Sequence, residues 1–487
     1  MTDRREFLKG TAWMGAAAAF GGCATGAAKV CGEGKMTTYA DRPFDVVRTG
    51  HVGLGSRGPG AVHRISAIPG SRVTALCDLY PERVTRQQQW LKENGKPAAK
   101  EYSGEEGYKA LCESDEVDLV YITCPWQLHA KIALYAMEHG KHVAIEVPAA
   151  MTLEECWALV ETSERTGRHC MQLENCCYNE AEMMALNLVR KGILGEIQHA
   201  EGAYIHDLRS SNYRDPAQGG YQGYWRLKWN ARHEGNPYPT HGLVPLMQAM
   251  NINRGDRFDY LNSMQCDPKC NDAYAAHVFG PDSWQAGLHP QCGDMATTVI
   301  RTVKGHTLMV QHTVNAPRPY SRLNLLQGTR GIFSGINFAS SPEALQKGGN
   351  NVQFGWETEP GAGVHEFFDW ETTGRMRVEH RHPLWAAAGE IARKVGGHGG
   401  MDFMMDLRLM YCLQNGLPLD MDVYDLAASC SLCELSERSC RDRGNSVDVP
   451  DFTRGGWRTA APIGIVSVDL SKMGRVDAKE DASALNV

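Results

Sequence analysis

A glycine-rich turn, Gly53-Leu54-Gly55-Ser56-Arg57-Gly58, follows an apolar run from Phe44 to Val52, and Asp78 lies twenty residues beyond its last glycine. Few sequence features restrict a fold so strongly. A strand that ends in such a turn and leads into a helix is one unit of a doubly wound parallel sheet, and the spacing fits a dinucleotide site. The first glycine allows the tight turn and the second lets the backbone approach a pyrophosphate. The third packs the helix against the strand, with the helix N-terminus facing the phosphates. Asp78 closes a strand-like run, Arg72 to Cys77, where a carboxylate can bind both ribose hydroxyls and repel a 2′-phosphate. The expected cofactor is therefore NAD rather than NADP. A plain glycine turn is the competing reading, and the flanking strand, helix and acid argue against it.

The first half of the chain continues the alternation. Asp118 to Thr123, His142 to Val147 and His169 to Leu173 read as strands, separated by helical stretches from Ala130 to Gly140 and Leu153 to Gly167. Near-continuous apolar strands belong to a parallel sheet buried on both faces. Ligands of such sheets bind beyond the carboxyl ends of the strands. That places Pro125-Trp126-Gln127-Leu128-His129 and Glu146-Val147-Pro148 beside the cofactor. Beyond residue 175 the pattern changes. A helix from Glu180 to Lys191, a strand from Ile197 to Ile205, a Gly-, Tyr- and Trp-rich loop from Asn212 to Tyr238 and a helix near His241 follow. Strands are expected at Thr297 to Arg301, Thr307 to Thr313 and Ser321 to Leu326, a loop-rich stretch from Asn337 to Glu379, and helices from His382 to Arg393 and Met401 to Asn415. The predicted class is α/β: a Rossmann-type doubly wound parallel sheet, then an α+β domain with a large mixed, mostly antiparallel sheet. The expected units are a signal and linker (1–35), an NAD-binding domain (42–173), a substrate domain (174–470) and a polar tail (471–487).

Asp3-Arg4-Arg5-Glu6-Phe7-Leu8-Lys9 reads as a twin-arginine export signal, followed by an apolar stretch from Trp13 to Phe20 that is too short to span a bilayer. This route moves folded proteins, so a tightly held cofactor can be loaded before export to the periplasm or cell envelope. Phe20-Gly21-Gly22-Cys23 resembles a lipoprotein site, which makes Cys23 a candidate lipid anchor. A net charge of −7 without long basic runs gives no reason to expect a nucleic-acid partner. The sixteen cysteines are scattered. Cys77, Cys124 and Cys170 fall in predicted strands as buried thiols, and Cys430 and Cys433 fit the apolar face of a helix. Cys266 and Cys270 read as loop thiols, with a disulfide as the alternative. No metal site stands out. His380, His382 and His398 have no partners at ligand spacing and read as structural or solvent-exposed.

Several motifs carry a likeness to a known group. They are the glycine turn, Glu146-Val147-Pro148-Ala149-Ala150, Glu174-Asn175-Cys176-Cys177-Tyr178, Tyr238-Pro239-Thr240-His241-Gly242 and Asn251-Ile252-Asn253-Arg254-Gly255-Asp256. Over roughly residues 42 to 460 the chain resembles the glucose-fructose oxidoreductase, inositol dehydrogenase and MocA superfamily, and within it glycoside hydrolase family 109. That family's characterised activity is an NAD-dependent α-N-acetylgalactosaminidase. The resemblance implies cofactor contacts at Gly53, Gly55, Ser56, Arg57, Gly58, Asp78, Trp126, Gln127, Leu128, His129, Glu146, Val147 and Asn175. It implies sugar contacts at Tyr204, Arg226, Tyr238, Pro239, Thr240, His241 and Tyr320. Val147 stands where the wider superfamily has the lysine of its sugar dehydrogenases, which argues against a simple dehydrogenase.

Each sugar contact has a bland competitor. Tyr204 could be a core tyrosine, Arg226 a solvated arginine braced by aromatics, and Tyr320 a loop-packing residue. His241, in the first turn of an amphipathic helix, could cap it, but a group titrating near neutrality also suits proton transfer. His241 is the expected acid/base and Tyr204 the second catalytic group, with the reverse assignment left open. The implied chemistry departs from the usual carboxylate pair. Oxidation at carbon 3 of the sugar acidifies the hydrogen at carbon 2, elimination expels the aglycone, water adds, and re-reduction closes the cycle. The substrate class is a glycan or glycoside, and the chain is expected to self-associate as a homo-oligomer. A periplasmic sugar oxidoreductase forming or reducing a 3-keto sugar, and a silent glycan-binding lipoprotein, are the alternatives.

Overall fold

The structure is a computed structural model that describes residues 42–336 and 351–474; the export motif and Cys23 lie outside the described residues. Its first sheet holds β1 (Val47–Val52), β2 (Ser71–Asp78), β3 (Lys100–Ser103), β4 (Leu119–Ile122), β5 (His142–Ile145) and β6 (Cys170–Gln172). All are parallel, in the order β3-β2-β1-β4-β5-β6. Strand order reverses between β1 and β4, so a crevice opens at their carboxyl ends, where ligands of such sheets bind. Every residue of β4 and β5 is buried, which is why their sequences are apolar without alternation.

The second sheet holds β7 (Ile197–Ile205), β8 (Phe258–Gln265), β9 (Ala296–Thr302), β10 (Thr307–Thr313), β11 (Ser321–Gly328), β12 (Gly331–Ile336), β13 (Asn351–Trp356) and β14 (Val447–Asp448). Their order is β13-β12-β11-β7-β10-β9-β8-β14. Among the described residues, only the β7–β10 pair of this sheet is parallel. Helices Thr240–Ala249 and Val423–Arg441 pack on it.

Some expectations need correction. The stretch 337–379 is less loop-rich than expected, because its described part contains β13 and helix Trp370–Glu379. Asp369 caps that helix by accepting from the Thr372 N–H at 2.8 Å. Strands β3, β8 and β12 were not foreseen, because polar residues or glycines interrupt their apolar pattern. Cys124 lies two residues past β4 rather than within it. Cys77 and Cys170 are buried in their strands, Cys430 and Cys433 are buried in a helix, and Cys266 and Cys270 are both free thiols. Cys270 opens helix Lys269–Phe279 instead of lying in a loop.

One buried ionic cluster joins the cofactor turn to helix Met401–Asn415. Arg64, in the helix after the turn, donates through Nε to Asp406 at 2.7 Å, and its Nη1 lies 3.6 Å from Asp402. The Tyr121 hydroxyl of β4 donates to the other Asp406 oxygen at 2.9 Å. Removing one partner of a buried pair strands the other charge, at a cost of about 3–5 kcal/mol. Asp406→Ala should therefore destabilise the folded chain by about that much in denaturant unfolding. A loss below about 1 kcal/mol, the scale of an exposed pair, would show that the cluster does not hold the two parts together.

Candidate functional site

The cofactor side begins where β1 ends. Gly53 has φ of +94°, and a Cβ there would lie 2.8 Å from the Thr123 backbone; one on Gly58 would lie 2.0 Å from the Gly53 carbonyl oxygen. Both glycines are therefore required by the protein's own packing. Gly55 is different. A Cβ there would meet only the flexible end of Arg83, at 3.3 Å. Its glycine makes sense if a ligand approaches the backbone, as the pyrophosphate does in a dinucleotide fold. The following helix, Gly58–Ser66, has no side-chain cap, which leaves its first N–H groups for an anion. Asp78 is buried at the end of β2, accepting from the Leu54 N–H at 2.6 Å and the Tyr80 N–H at 3.0 Å, with Arg83 at 3.4 Å. It shapes the turn. These features fit NAD.

Arg57 leaves the turn toward Glu146, at 3.2 Å, and Asp402, at 3.4 Å. Asp402 also accepts from the Asn175 amide at 2.5 Å. Ser56, Gln127 and Leu128 are exposed around this crevice. His129 behaves differently from its neighbours. It is 1 % exposed, with Nδ1 2.8 Å from the Pro148 carbonyl and Nε2 2.7 Å from the Cys124 carbonyl. Burial lowers its pKa although both carbonyl contacts favour the charged ring. It braces the Glu146-Val147-Pro148 segment against the end of β4.

The face expected to meet the sugar is an aromatic wall. Trp126, Val147, Tyr204 and Tyr238 form one apolar cluster, with Trp225 and Tyr320 packed on it. Two glycines bring its halves together: a Cβ on Gly202 of β7 would lie 2.1 Å from the Gly242 carbonyl oxygen of helix Thr240–Ala249. That contact sets the His241 ring 5.1 Å from the Tyr204 ring. Pro239 and Thr240 are buried where this helix starts. His241 does not cap it. Its Nδ1 lies 2.6 Å from Glu174 Oε1, and its Nε2 lies 3.4 Å from the Tyr238 hydroxyl. Burial opposes ionisation of Glu174, but His241 and the Cys176 N–H outweigh it and lower the carboxyl's pKa. A carboxylate behind Nδ1 fixes the tautomer and leaves Nε2 to move a proton.

Tyr204 shares a hydrogen bond of 3.0 Å with His206 Nδ1. Burial pushes the phenol up, and Arg226 works against that. His206 is lowered to about 4, by burial first and then by Arg226 and His241. Arg226 is not solvated. It is 7 % exposed, its guanidinium 5.0 Å from the Trp126 ring and 5.2 Å from that of Tyr238. Its Nε and Nη2 have no hydrogen-bond partner among the described residues, which leaves donors for a polar ligand. Tyr320 accepts from Arg322 at 3.0 Å and packs edge-on against His206 at 4.9 Å. Glu174, Cys176 and His241 lie close enough to suggest a metal centre. Glu174 Oε1 already lies 2.6 Å from His241 Nδ1 and accepts from the Cys176 N–H at 3.0 Å, so the trio reads as a hydrogen-bonded carboxylate–imidazole pair beside a buried thiol.

Glu174, His206 and Asp402 are the site residues that sequence reasoning did not single out. Glu174 was visible only as part of its motif, His206 lies two residues from its partner Tyr204, and Asp402 meets the site only through the tertiary fold.

The fold and crevice define an NAD-binding Rossmann enzyme with an added unit built on a mixed, mostly antiparallel sheet. Sequence models agree: the oxidoreductase family with an NAD-binding Rossmann fold matches residues 47–173, and the glycosyl hydrolase 109 C-terminal domain matches residues 178–459. The chain belongs to glycosyl hydrolase family 109. A family 109 protein of Shewanella amazonensis is 45% identical over 470 residues, covering 95% of this chain and 99% of the relative. A Bacteroides fragilis protein named alpha-N-acetylgalactosaminidase is 45% identical over 419 residues, covering 86% of this chain and 95% of the relative. Among solved structures, levoglucosan dehydrogenase in complex with NADH and levoglucosan has the same fold, with a TM-score of 0.59 at 18% identity over 83% of this chain and 99% of that one.

The Glu174–His241 pair yields a specific expectation. His241→Ala should keep NAD but lower turnover by about 100-fold or more, and Glu174→Gln should follow it in the same direction. Tyr204→Phe should be milder. A near-normal histidine variant with a dead tyrosine variant would make Tyr204 the base.

Proposed function

We propose that this protein is an exported glycosidase that hydrolyses terminal N-acetylgalactosaminides with an NAD that stays bound through each turnover. The observation that carries the reading is the state of the carboxylate on the sugar side. Glu174 is completely buried behind His241, so it cannot flank a glycosidic bond as an ordinary glycosidase acid does. Val147 leaves no lysine to serve as the base of a sugar dehydrogenase. A redox-neutral route meets both constraints. Bound NAD supplies reversible acceptance of a hydride from carbon 3 of the sugar. His241 takes the acidified proton from carbon 2 through Nε2 and later returns it. Tyr204, protonated because it is buried, orients and polarises the oxygen at carbon 3. Arg226 offers its unpaired donors to the sugar, and Trp126 and Tyr238 exclude water around it.

The choice of N-acetylgalactosamine rests on the Bacteroides relative's name. Export rests on the twin-arginine motif, and Cys23 is the proposed lipid anchor. A compartment without a nicotinamide pool favours an enzyme that regenerates its cofactor in place. The protein as purified, with no NAD added, should release 4-nitrophenol from its α-N-acetylgalactosaminide and should carry stoichiometric NAD. Release that requires added NAD in proportion to product would overturn the proposal in favour of a sugar oxidoreductase.

A further inference from the structure

Strand β11 starts beside the aromatic wall with an irregular backbone. Leu323 and Asn324 have φ of 56° and 57°, and the register with β7 shifts on both sides of Leu323. A leucine takes a left-handed backbone only at a cost, and such strain collects at working sites. Irregularities of this kind re-aim a neighbouring side chain. The side chain just before it is Arg322, which is 5% exposed. Its Nε and Nη2 lie 2.7 and 2.6 Å from Glu182 Oε1, and its Nη1 donates to the Tyr320 hydroxyl at 3.0 Å. Glu182 is buried too and also accepts from the Asn179 amide. It sits in the first turn of helix Glu180–Arg190, which follows the Glu174-to-Tyr178 motif.

This buried pair fixes the hydrogen-bonding sense of the phenol. A guanidinium only donates, so the Tyr320 oxygen accepts from Arg322. Burial keeps the phenol protonated, although Arg322 works against that. The phenol's own hydrogen is therefore turned away from Arg322, and no described residue accepts it. The ring stands edge-on to His206 at 4.9 Å and to Tyr204 at 6.2 Å. A phenol free to rotate could donate or accept, and would suit a hydroxyl as well as a carbonyl. With Arg322 on its oxygen, only donation remains. An amide carbonyl accepts and never donates, whereas a sugar hydroxyl in the same place would find no acceptor for its own hydrogen.

We propose that Arg322, held by Glu182, is a positioning residue that commits the Tyr320 hydroxyl to donate to the carbonyl oxygen of the substrate's acetamido group. This rests on the redox-neutral glycosidase reading, in which neighbouring Tyr204 meets the oxygen at carbon 3. The acetamido group is the next substituent, at carbon 2. The pair thus selects an acetamido sugar over one with a hydroxyl there, by leaving the wrong group's hydrogen unpaired.

The test uses 4-nitrophenyl α-N-acetylgalactosaminide and its N-fluoroacetyl and N-difluoroacetyl analogues, whose carbonyl oxygens are progressively weaker acceptors. With no NAD added, kcat/KM of the parent should fall across the series by about 10-fold, mostly through KM. Tyr320→Phe should lose most of that fall. Glu182→Met combined with Arg322→Met removes both charges together, so that neither is stranded. It should also lose most of the fall while retaining NAD. Arg322→Lys, which offers a point charge in place of the fork, should lie between, and it decides the matter if the double variant does not fold. Fluorine's pull on carbon 2 is common to every chain, so the difference in slope reports the carbonyl bond. Equal slopes in the parent and Tyr320→Phe would overturn the carbonyl contact. A parental slope in the Arg322 variants, or their loss of NAD, would overturn the positioning role. A parent chain that cleaves none of the series without added NAD would instead sink the glycosidase reading, and the proposal with it.

Discussion

The site depends on two arginines of the cofactor turn and its helix meeting two aspartates of one buried helix. Arg57 and Arg64 converge on Asp402, and Arg64 continues to Asp406. The same helix, Met401–Asn415, is buried along nearly its whole length, and the Leu413 carbonyl accepts from the Phe44 N–H at 3.1 Å. Desolvating so many charges costs free energy that apolar packing would not. What the cluster contributes is register. Asp402 faces Arg57, Asn175 and His398 at once, so one carboxylate aligns the turn, the motif after β6 and the segment that carries His398.

That register sets what the crevice can do. The glycine contact between β7 and helix Thr240–Ala249 draws His241 beside Tyr204, and Glu174 reaches His241 from the motif following β6. Arg226 is held by aromatic faces instead of a carboxylate. Rings can stabilise a buried cation while leaving some of its donors unpaired. A carboxylate in that place would have consumed those donors. The result is a cluster of aromatic rings in which Glu174 orients the His241 ring from behind.

The cofactor half was legible in the sequence because its chemistry is local. The glycine turn, the apolar strand before it and Asp78 at the end of β2 lie within one strand–helix–strand unit, and each imposes its geometry on the next. Helix Met401–Asn415 and strand β10 were equally clear, since their apolar periodicity runs unbroken. The mixed sheet was harder to read. Strands β8, β12 and β13 alternate imperfectly, and β8 also pairs with β14 from far along the chain. The pairings that define the site were hidden for the same reason. Nothing near His398 announces Arg57, which is 341 residues away, and nothing near His206 identifies it as the partner of Tyr204 beyond their two-residue spacing. Val147 was informative as an absence, because a missing lysine changes which groups can move protons.

The central claim is that bond cleavage passes through a ketone at carbon 3, with the proton at carbon 2 removed and returned by the protein. Hydrolysis of an α-N-acetylgalactosaminide in heavy water, followed by proton NMR of the released sugar, tests it most directly. The account predicts deuterium at carbon 2 of the product. A product carrying only protium at carbon 2 would contradict it and require direct acid/base hydrolysis.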